Sequence, residues 1–281
     1  MSGKLAAGLV LALASTGLLN SGYFVQYAGA AEAPALSLRH PVGSLASLVR
    51  NVRWVAGNLI VFAGFVLYIA ALRFAPISIV QATSAGGIGI LAILVARVGK
   101  SPLTKREWAG VWVALAGLAL LGISLSGGKT SESGGAPGAV IAWLAVAAVV
   151  AAIVAGPMAR ALAAGAGLGA ASGVLFASGD VATKAALAGG ERWWFAPVAL
   201  ACYGAGFVAM QFAFQRGGAL VTAGLASLFT NALPIAAGIV LFDDAVPGGA
   251  LGFLRVASFA AVIAGAVSLA RPEPTHAGSP A

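Results

Sequence analysis

Long, continuous apolar segments divide the chain, and they constrain its fold more than any other feature. Nine such segments, each about 20 residues long, lie at 5–28, 54–74, 77–96, 108–126, 138–156, 161–187, 194–214, 218–241 and 247–270. About 20 apolar residues in a helix are enough to cross the hydrocarbon core of a bilayer. The runs do not alternate between polar and apolar residues, which favours helices over barrel strands. The sequence therefore predicts an all-α integral membrane protein with nine transmembrane helices.

Composition and charge support a membrane location. Hydrophobic residues make up 60% of the 281 residues and charged residues only 9%, which is too little charge for the surface of a soluble protein of this length. With the N-terminus outside, the cytoplasmic side holds ten Lys and Arg residues and the outer side five. This bias favours an external N-terminus and a cytoplasmic C-terminus in a bacterial inner membrane. No basic patch with interleaved aromatic residues predicts a nucleic-acid partner.

The first segment has a second interpretation. Lys4, the apolar run 5–19 and the small residues at 28–33 also resemble a secretory signal peptide. The polar residues Asn20 and Gln26, and the extension of the segment to Ala28, weigh against cleavage. Mass spectrometry of the mature N-terminus would separate the two interpretations.

A short match indicates an internal duplication. Residues 63–66 and 205–208 share the sequence Ala-Gly-Phe-Val, 142 positions apart, and each follows an Arg-Trp pair. They lie in the second and seventh predicted helices, which cross the membrane in opposite directions, as in the inverted repeats of many secondary transporters. The Gly- and Ser-rich stretch 127–138 reads as a connector. We therefore expect a four-helix half at 1–126, a five-helix half at 139–270 and a disordered tail at 271–281.

The loops between the segments carry features of a membrane interface. Trp54, Trp108 and Trp193 stand beside charged residues at segment starts, where they are expected to act as ordinary interfacial anchors. The long loop 29–53 follows the first segment. It is expected either to contain a short interfacial helix or to be a partly ordered basic loop.

Three ionisable side chains lie within predicted helices, namely Asp180, Lys184 and Arg255. A charge at membrane depth costs a few kcal/mol, so each of them needs a partner or a function. Asp180 and Lys184 are spaced four residues apart and can pair on one helix face, either structurally or as part of a substrate or coupling-ion site. Arg255 would bind an anionic group or pair with an acidic residue, and a local pair with Asp243 or Asp244 is the simpler expectation.

Polar side chains in both halves define a candidate substrate or ion cavity. Asparagine and glutamine are more informative than serine or threonine, which commonly bond to their own helix. The predicted cavity residues are Asn20, Gln26, Asn58, Gln81, Asp180, Lys184, Gln211, Thr230 and Asn231, with Arg255 as a charge partner. The Gly-rich stretch 85–89 and Pro234 are expected to interrupt two of these helices, which is typical of transport sites. Simple kinking for packing is the alternative.

Catalytic chemistry has little support in the sequence. The two histidines, His40 and His276, lie in polar regions, and Cys202 is the single cysteine. No His, Cys and carboxylate cluster has the spacing of a metal site, and no Gly-rich loop precedes a lysine as in a phosphate-binding loop. We expect no enzyme, no metal site and no cofactor. The expected partners are the lipid bilayer and a small-molecule or ion substrate, and a homodimer is left open.

Three stretches resemble the drug/metabolite transporter superfamily. Residues 70–81 (AALRFAPISIVQ) are similar to its Ala-Leu-aromatic segment, which is followed by a helix opening with Val-Gln. The last segment, with Gly248, Gly249 and Gly252 at its start, resembles the closing helix of EamA-type members. Residues 20–26 (NSGYFVQ) and the layout of four and five helices resemble bacterial relatives of NIPA-type magnesium transporters. The resemblance implies two inverted halves and transport of a small polar or amphiphilic metabolite or a cation.

The chain also departs from that pattern. EamA-type members have ten helices, whereas the loop 29–53 replaces one here, and only Glu107 and the pair Asp243-Asp244 stand near the usual acidic positions. Mg²⁺ prefers oxygen ligands that include one or two carboxylates, and the nearby Lys184 weighs against Asp180 in that role. Magnesium transport is therefore an alternative. A non-transporting membrane sensor or partner protein on the same fold is the alternative from another class.

Overall fold

The computed structural model describes residues 3–37, 41–75, 80, 83–84, 86–100, 102–125, 134–244 and 248–271. Every regular element within these ranges is a helix. The α-helices are α1 (Gly3–Glu32), α2 (Pro41–Val49), α3 (Val52–Leu72), α4 (Gly87–Arg97), α5 (Lys105–Leu125), α6 (Pro137–Ala155), α7 (Ala166–Leu187), α8 (Phe195–Arg216), α9 (Ala219–Leu241) and α10 (Ala250–Ala270). Short 3₁₀ turns at Pro157–Ala161 and Gly190–Trp194 precede α7 and α8.

Seven helices in the described part of the chain are long and apolar enough to cross a membrane, namely α1, α3, α5, α6, α8, α9 and α10. Large apolar side chains such as Leu59, Trp112 and Phe253 point outward on them, as lipid-facing residues do. Helix α7 has 22 residues but is less apolar, with many Gly and Ser residues beside its two charges, and α4 has only 11 described residues. The chain is thus a multi-pass helical membrane protein, and the count of nine spans stays a prediction.

Two antiparallel helix pairs repeat one hydrogen bond. The buried Ser15 hydroxyl on α1 donates to the carbonyl of Gly64 on α3 at 2.8 Å. The buried Ser172 hydroxyl on α7 donates to the carbonyl of Gly206 on α8, also at 2.8 Å. Gly64 and Gly206 are the glycines of the two Ala-Gly-Phe-Val stretches. The matched residues therefore serve as packing surface in equivalent helix pairs, where a buried hydroxyl requires a partner.

A glycine stripe on α7 lets α9 approach closely. A Cβ added at Gly169 would lie 2.6 Å from the carbonyl oxygen of Thr222, and one added at Gly173 would lie 2.5 Å from that of Ala226. Such small-residue stripes allow helices to pack backbone to backbone inside a membrane. The stripe continues along the same face toward Asp180, so this packing fixes where that carboxylate lies.

Substituting Gly173 by alanine is expected to destabilise the protein by about 1–3 kcal/mol, because the new methyl group overpacks a contact with backbone atoms. The matched control is Gly204→Ala on α8, where an added Cβ meets no atom within 4 Å. That change is expected to be neutral or to stabilise the helix by about 0.5–1 kcal/mol. Thermal unfolding in detergent compares them, and equal melting temperatures would contradict the close α7–α9 contact.

Several sequence-based expectations differ from the structure. Helix α9 runs through Pro234 without interruption. Trp54 is buried and is not an interfacial anchor. The loop after α1 contains a short helix, α2, as one of the two expectations had it, and an interfacial position for it stays a prediction. Residues 127–133 of the connector and residues 272–281 of the tail lie outside the described residues.

Candidate functional site

A cavity of about 930 Å³ lies between α1, α3 and α4 on one side and α7 to α10 on the other. Its apolar wall includes Phe65, Phe176 and Met210. Its polar lining is drawn from most of these helices and consists of Thr16, Asn20, Tyr23, Tyr68, Ser84, Asp180, Tyr203, Ser227, Thr230, Asn231, Asp244 and Arg255. Convergent polar groups in a largely apolar cavity are the usual composition of a small-ligand site.

The carboxylate of Asp180 is held by a tyrosine. The Tyr203 hydroxyl on α8 donates to Asp180 Oδ1 at 2.7 Å, and the Thr183 and Tyr203 hydroxyl oxygens are 3.3 Å apart. Gly179 makes room for this arrangement, because a Cβ there would lie 2.6 Å from the Tyr203 ring. The hydrogen bond orients the carboxylate without neutralising its charge.

The four-residue spacing allowed Lys184 to pair with Asp180, but the structure does not pair them. The Lys184 Nζ lies 3.4 Å and 3.5 Å from the two carboxylate oxygens of Asp244, which follows the end of α9. The same ammonium lies over the Phe242 ring at 4.4 Å from the centroid, in cation–π geometry. A lysine side chain reaches several ångströms, so tertiary packing selected an acid that is 60 positions away over one that is a single turn away.

Arg255 is buried, and it bonds to Ser124 in addition to facing Asp244, one of its two expected partners. Its Nη2 donates to the carbonyl oxygen of Ser124 at 2.8 Å and its Nε to the Ser124 hydroxyl at 3.3 Å. Asp244 is close enough to interact with the guanidinium electrostatically. Asp244 therefore faces two cations, whereas the described residues place no salt bridge on Asp180.

Asn20 on α1 and Asn231 on α9 both line the cavity, and each bonds to its own helix. The Asn20 amide donates to the Thr16 carbonyl at 2.9 Å, and the Asn231 amide donates to the Ser227 carbonyl at 2.7 Å. One N–H of each amide is thus used within its own helix. The second N–H and the carbonyl oxygen of each amide remain available, and the oxygen is an acceptor that suits a cation.

The structure brings only part of the predicted site together. Asn20, Asp180, Thr230, Asn231 and Arg255 line the cavity. Gln26, Asn58 and Gln211 do not line it, Lys184 reaches it only through its contact with Asp244, and Gln81 lies outside the described residues. Gln26 donates to Asn58 at 2.7 Å between α1 and α3, and Gln211 accepts from the Trp54 indole at 2.8 Å.

Sequence reasoning missed Tyr203, Tyr68 and Asp244 as lining residues. A tyrosine in the middle of an apolar helix is a usable signal, because its hydroxyl needs a partner when it is buried. Asp244 had no comparable signal. Its side chain lines the cavity because of where the chain lies just after the end of α9, which the local sequence does not specify.

Contacts between the two groups of helices close the bundle at the end where α1 and α8 finish. The Trp54 indole donates to Gln211 at 2.8 Å, and the Trp54 and Phe207 rings meet edge to face at 6.0 Å. One turn further on, Gln215 Nε2 donates to the carbonyl of Ala30 at 3.0 Å, and its Oε1 accepts from the backbone of Leu36 at 2.8 Å. The cavity occupies the middle and the opposite end of the bundle.

Fold and cavity define a multi-pass helical membrane protein with a charged internal cavity. The chain is similar to the probable magnesium transporter NIPA9 of Arabidopsis thaliana, at 25% identity over 267 residues that cover 88% of this chain and 76% of the plant protein. That relative is of the NIPA type that residues 20–26 indicated. No known family profile matches the chain, and no solved structure matches it significantly.

Proposed function

We propose that the chain is a membrane transporter, not an enzyme, that moves a cation through this cavity, with Mg²⁺ as the first candidate. The environment of Asp180 is the main support for this proposal. Its carboxylate lines the cavity, accepts a hydrogen bond from the neutral Tyr203 hydroxyl and makes no salt bridge among the described residues. A carboxylate inside a membrane bundle is costly without a compensating cation. A substrate cation bound at Asp180 would supply that compensation.

The oxygen ligands around Asp180 suit a hydrated Mg²⁺ ion. Mg²⁺ keeps several water molecules and binds through one or two carboxylates. Asp180 supplies one carboxylate, and Asn20, Thr230 and Asn231 supply neutral oxygens along the same cavity. The nearby Lys184 weighed against Asp180 as a Mg²⁺ ligand in the sequence. That argument is weaker in the structure, because the Lys184 ammonium contacts Asp244 and not Asp180. The likeness to a probable magnesium transporter supports the same choice.

Alternating access between two inverted halves is the proposed mechanism. Its support is a cavity at one end of the bundle and a closed contact at the other, together with the repeated serine–glycine hydrogen bond of the α1–α3 and α7–α8 pairs. Because α1 ends beside the end of α8, and α7 is antiparallel to α8, the first helices of the two pairs run in opposite directions. The proposal includes nine spans and a drug/metabolite transporter fold. With the N-terminus outside a bacterial cell membrane, the closed end would be cytoplasmic.

An organic cation is the second candidate. Phe65, Tyr68, Phe176 and Tyr203 contribute ring surface to the cavity beside Asp180. Aromatic faces combined with a carboxylate bind alkylammonium groups well, because the ring quadrupole attracts a desolvated cation. The aromatic part of the lining would therefore also accommodate a larger, partly apolar cation.

Transport in proteoliposomes tests the proposal and separates the candidates. The purified full chain is reconstituted, and uptake of Mg²⁺ is followed with an enclosed indicator, beside uptake of Na⁺ and tetraethylammonium. Uptake of Mg²⁺ above that of protein-free vesicles is expected. Tetraethylammonium uptake without Mg²⁺ uptake would select the second candidate. Binding of a cation without any flux would favour a non-transporting sensor on the same fold.

A further inference from the structure

Lys184 occupies a site that is itself built to hold an ammonium ion. Its Nζ lies between the Asp244 carboxylate, at 3.4 Å, and the face of the Phe242 ring, at 4.4 Å from the centroid. Its side chain keeps 35% of its surface exposed. A partly exposed side chain changes rotamer readily, so the ammonium can leave this contact.

The same lysine stands one turn beyond Asp180 on α7. Side chains four residues apart on a helix are neighbours, so a rotation about the lysine stem carries the ammonium from Asp244 toward Asp180. Both carboxylates line the one cavity. Asp244 keeps the nearby guanidinium of Arg255 as a compensating charge when Lys184 moves away. Asp180 has no such substitute among the described residues.

We propose that Lys184 is a tethered counter-ion that exchanges between Asp244 and Asp180. This inference rests on the proposed cation transport. With a cation on Asp180, Lys184 keeps its contact with Asp244. When the cation leaves, Lys184 moves onto Asp180, because an ionised carboxylate left unpaired in a membrane bundle is strongly unfavourable. The tethered charge thereby lets the unloaded protein change conformation.

Two modes of flux test this role. Net flux needs the unloaded protein to reorient, whereas exchange of labelled for unlabelled cation needs only the loaded form. Lys184→Gln is therefore expected to reduce net Mg²⁺ flux by about tenfold or more while exchange of isotopically labelled Mg²⁺ stays within about threefold of wild type. Lys184→Arg, which keeps a charge on a similar tether, is expected to restore most of the net flux.

Other outcomes overturn the role. If Lys184 were only part of a structural ion pair, or only affected cation affinity through its charge, Lys184→Gln would change net flux and exchange by the same factor. Unchanged net flux would also exclude a counter-ion function. Thermal unfolding in detergent identifies a folding defect, and in that case Lys184→Met, which keeps the unbranched stem, repeats the comparison. Wild-type protein that supports neither net flux nor exchange of Mg²⁺ or tetraethylammonium would instead overturn the proposed function itself.

Discussion

Replacing Asp180 by asparagine is expected to reduce cation transport by about 100-fold. Truncating one partner of a desolvated charge pair typically costs about 2–5 kcal/mol, and each 1.4 kcal/mol is a factor of ten. Asparagine has nearly the same shape and retains an oxygen that can accept the hydrogen bond from Tyr203. The fold should therefore persist, and the loss should come from the missing negative charge.

The matched control for this variant is Asp243→Asn. Asp243 is exposed, lies in the same chain and does not line the cavity. Its φ of 56° falls in the left-handed region, which asparagine tolerates well. Initial rates of Mg²⁺ uptake in proteoliposomes compare the three proteins at equal amounts of incorporated chain. Full transport by Asp180→Asn, with an unchanged dependence on cation concentration, would remove Asp180 from the mechanism.

Replacing Gln215 by alanine is expected to open the closed end of the bundle. The glutamine Nε2 also lies 3.4 Å and 3.1 Å from the carbonyl oxygens of Ala33 and Pro34, so the change removes a set of hydrogen bonds across the two groups of helices. Each such bond contributes about 0.5–1.5 kcal/mol. Loss of even one or two moves the closed–open equilibrium by about tenfold.

A single introduced cysteine reports this opening. Cys202 is first replaced by serine, and Ala30, which is fully buried at the closed end, is replaced by cysteine. Maleimide labelling is expected to be about tenfold faster in Gln215→Ala than in the unmodified background. Gln26→Ala is the control. It also removes a buried glutamine, but the Gln26 side chain donates to Asn58 within one group of helices and not across the two groups. Equal acceleration by both variants would indicate general loosening and not a specific closing contact.

The helical framework could be predicted from sequence because it depends on local composition. A run such as 138–156 has no charged residue, and a helix satisfies all of its own backbone hydrogen bonds in lipid. The structure places α6 at Pro137–Ala155, close to the predicted segment. The predicted break at Pro234 was wrong, because neighbouring helices can support a proline within a membrane helix. Local propensity alone carries no information on such support.

The candidate site could be predicted only in part. The cost of polar groups in a membrane drew attention to Asp180, Asn20 and Asn231, which line the cavity. The same reasoning did not distinguish Gln211, which faces Trp54 at the closed end. A polar side chain that lines a cavity and one that bonds to another helix both avoid contact with lipid, so the cost of polar groups in a membrane does not separate them. Which of them face a cavity depends on how helices distant in sequence are arranged.

The sequence by itself determined that this chain lies in a membrane as a set of apolar helices, and that Asp180 is a carboxylate inside it. These properties follow from the length and polarity of single segments. The tertiary structure alone decided that Tyr203 holds Asp180, that Lys184 turns to Asp244 and that glutamines on α8 close one end. The reason is physical: long side chains choose among several partners within reach, and only packing between helices sets which partner is nearest.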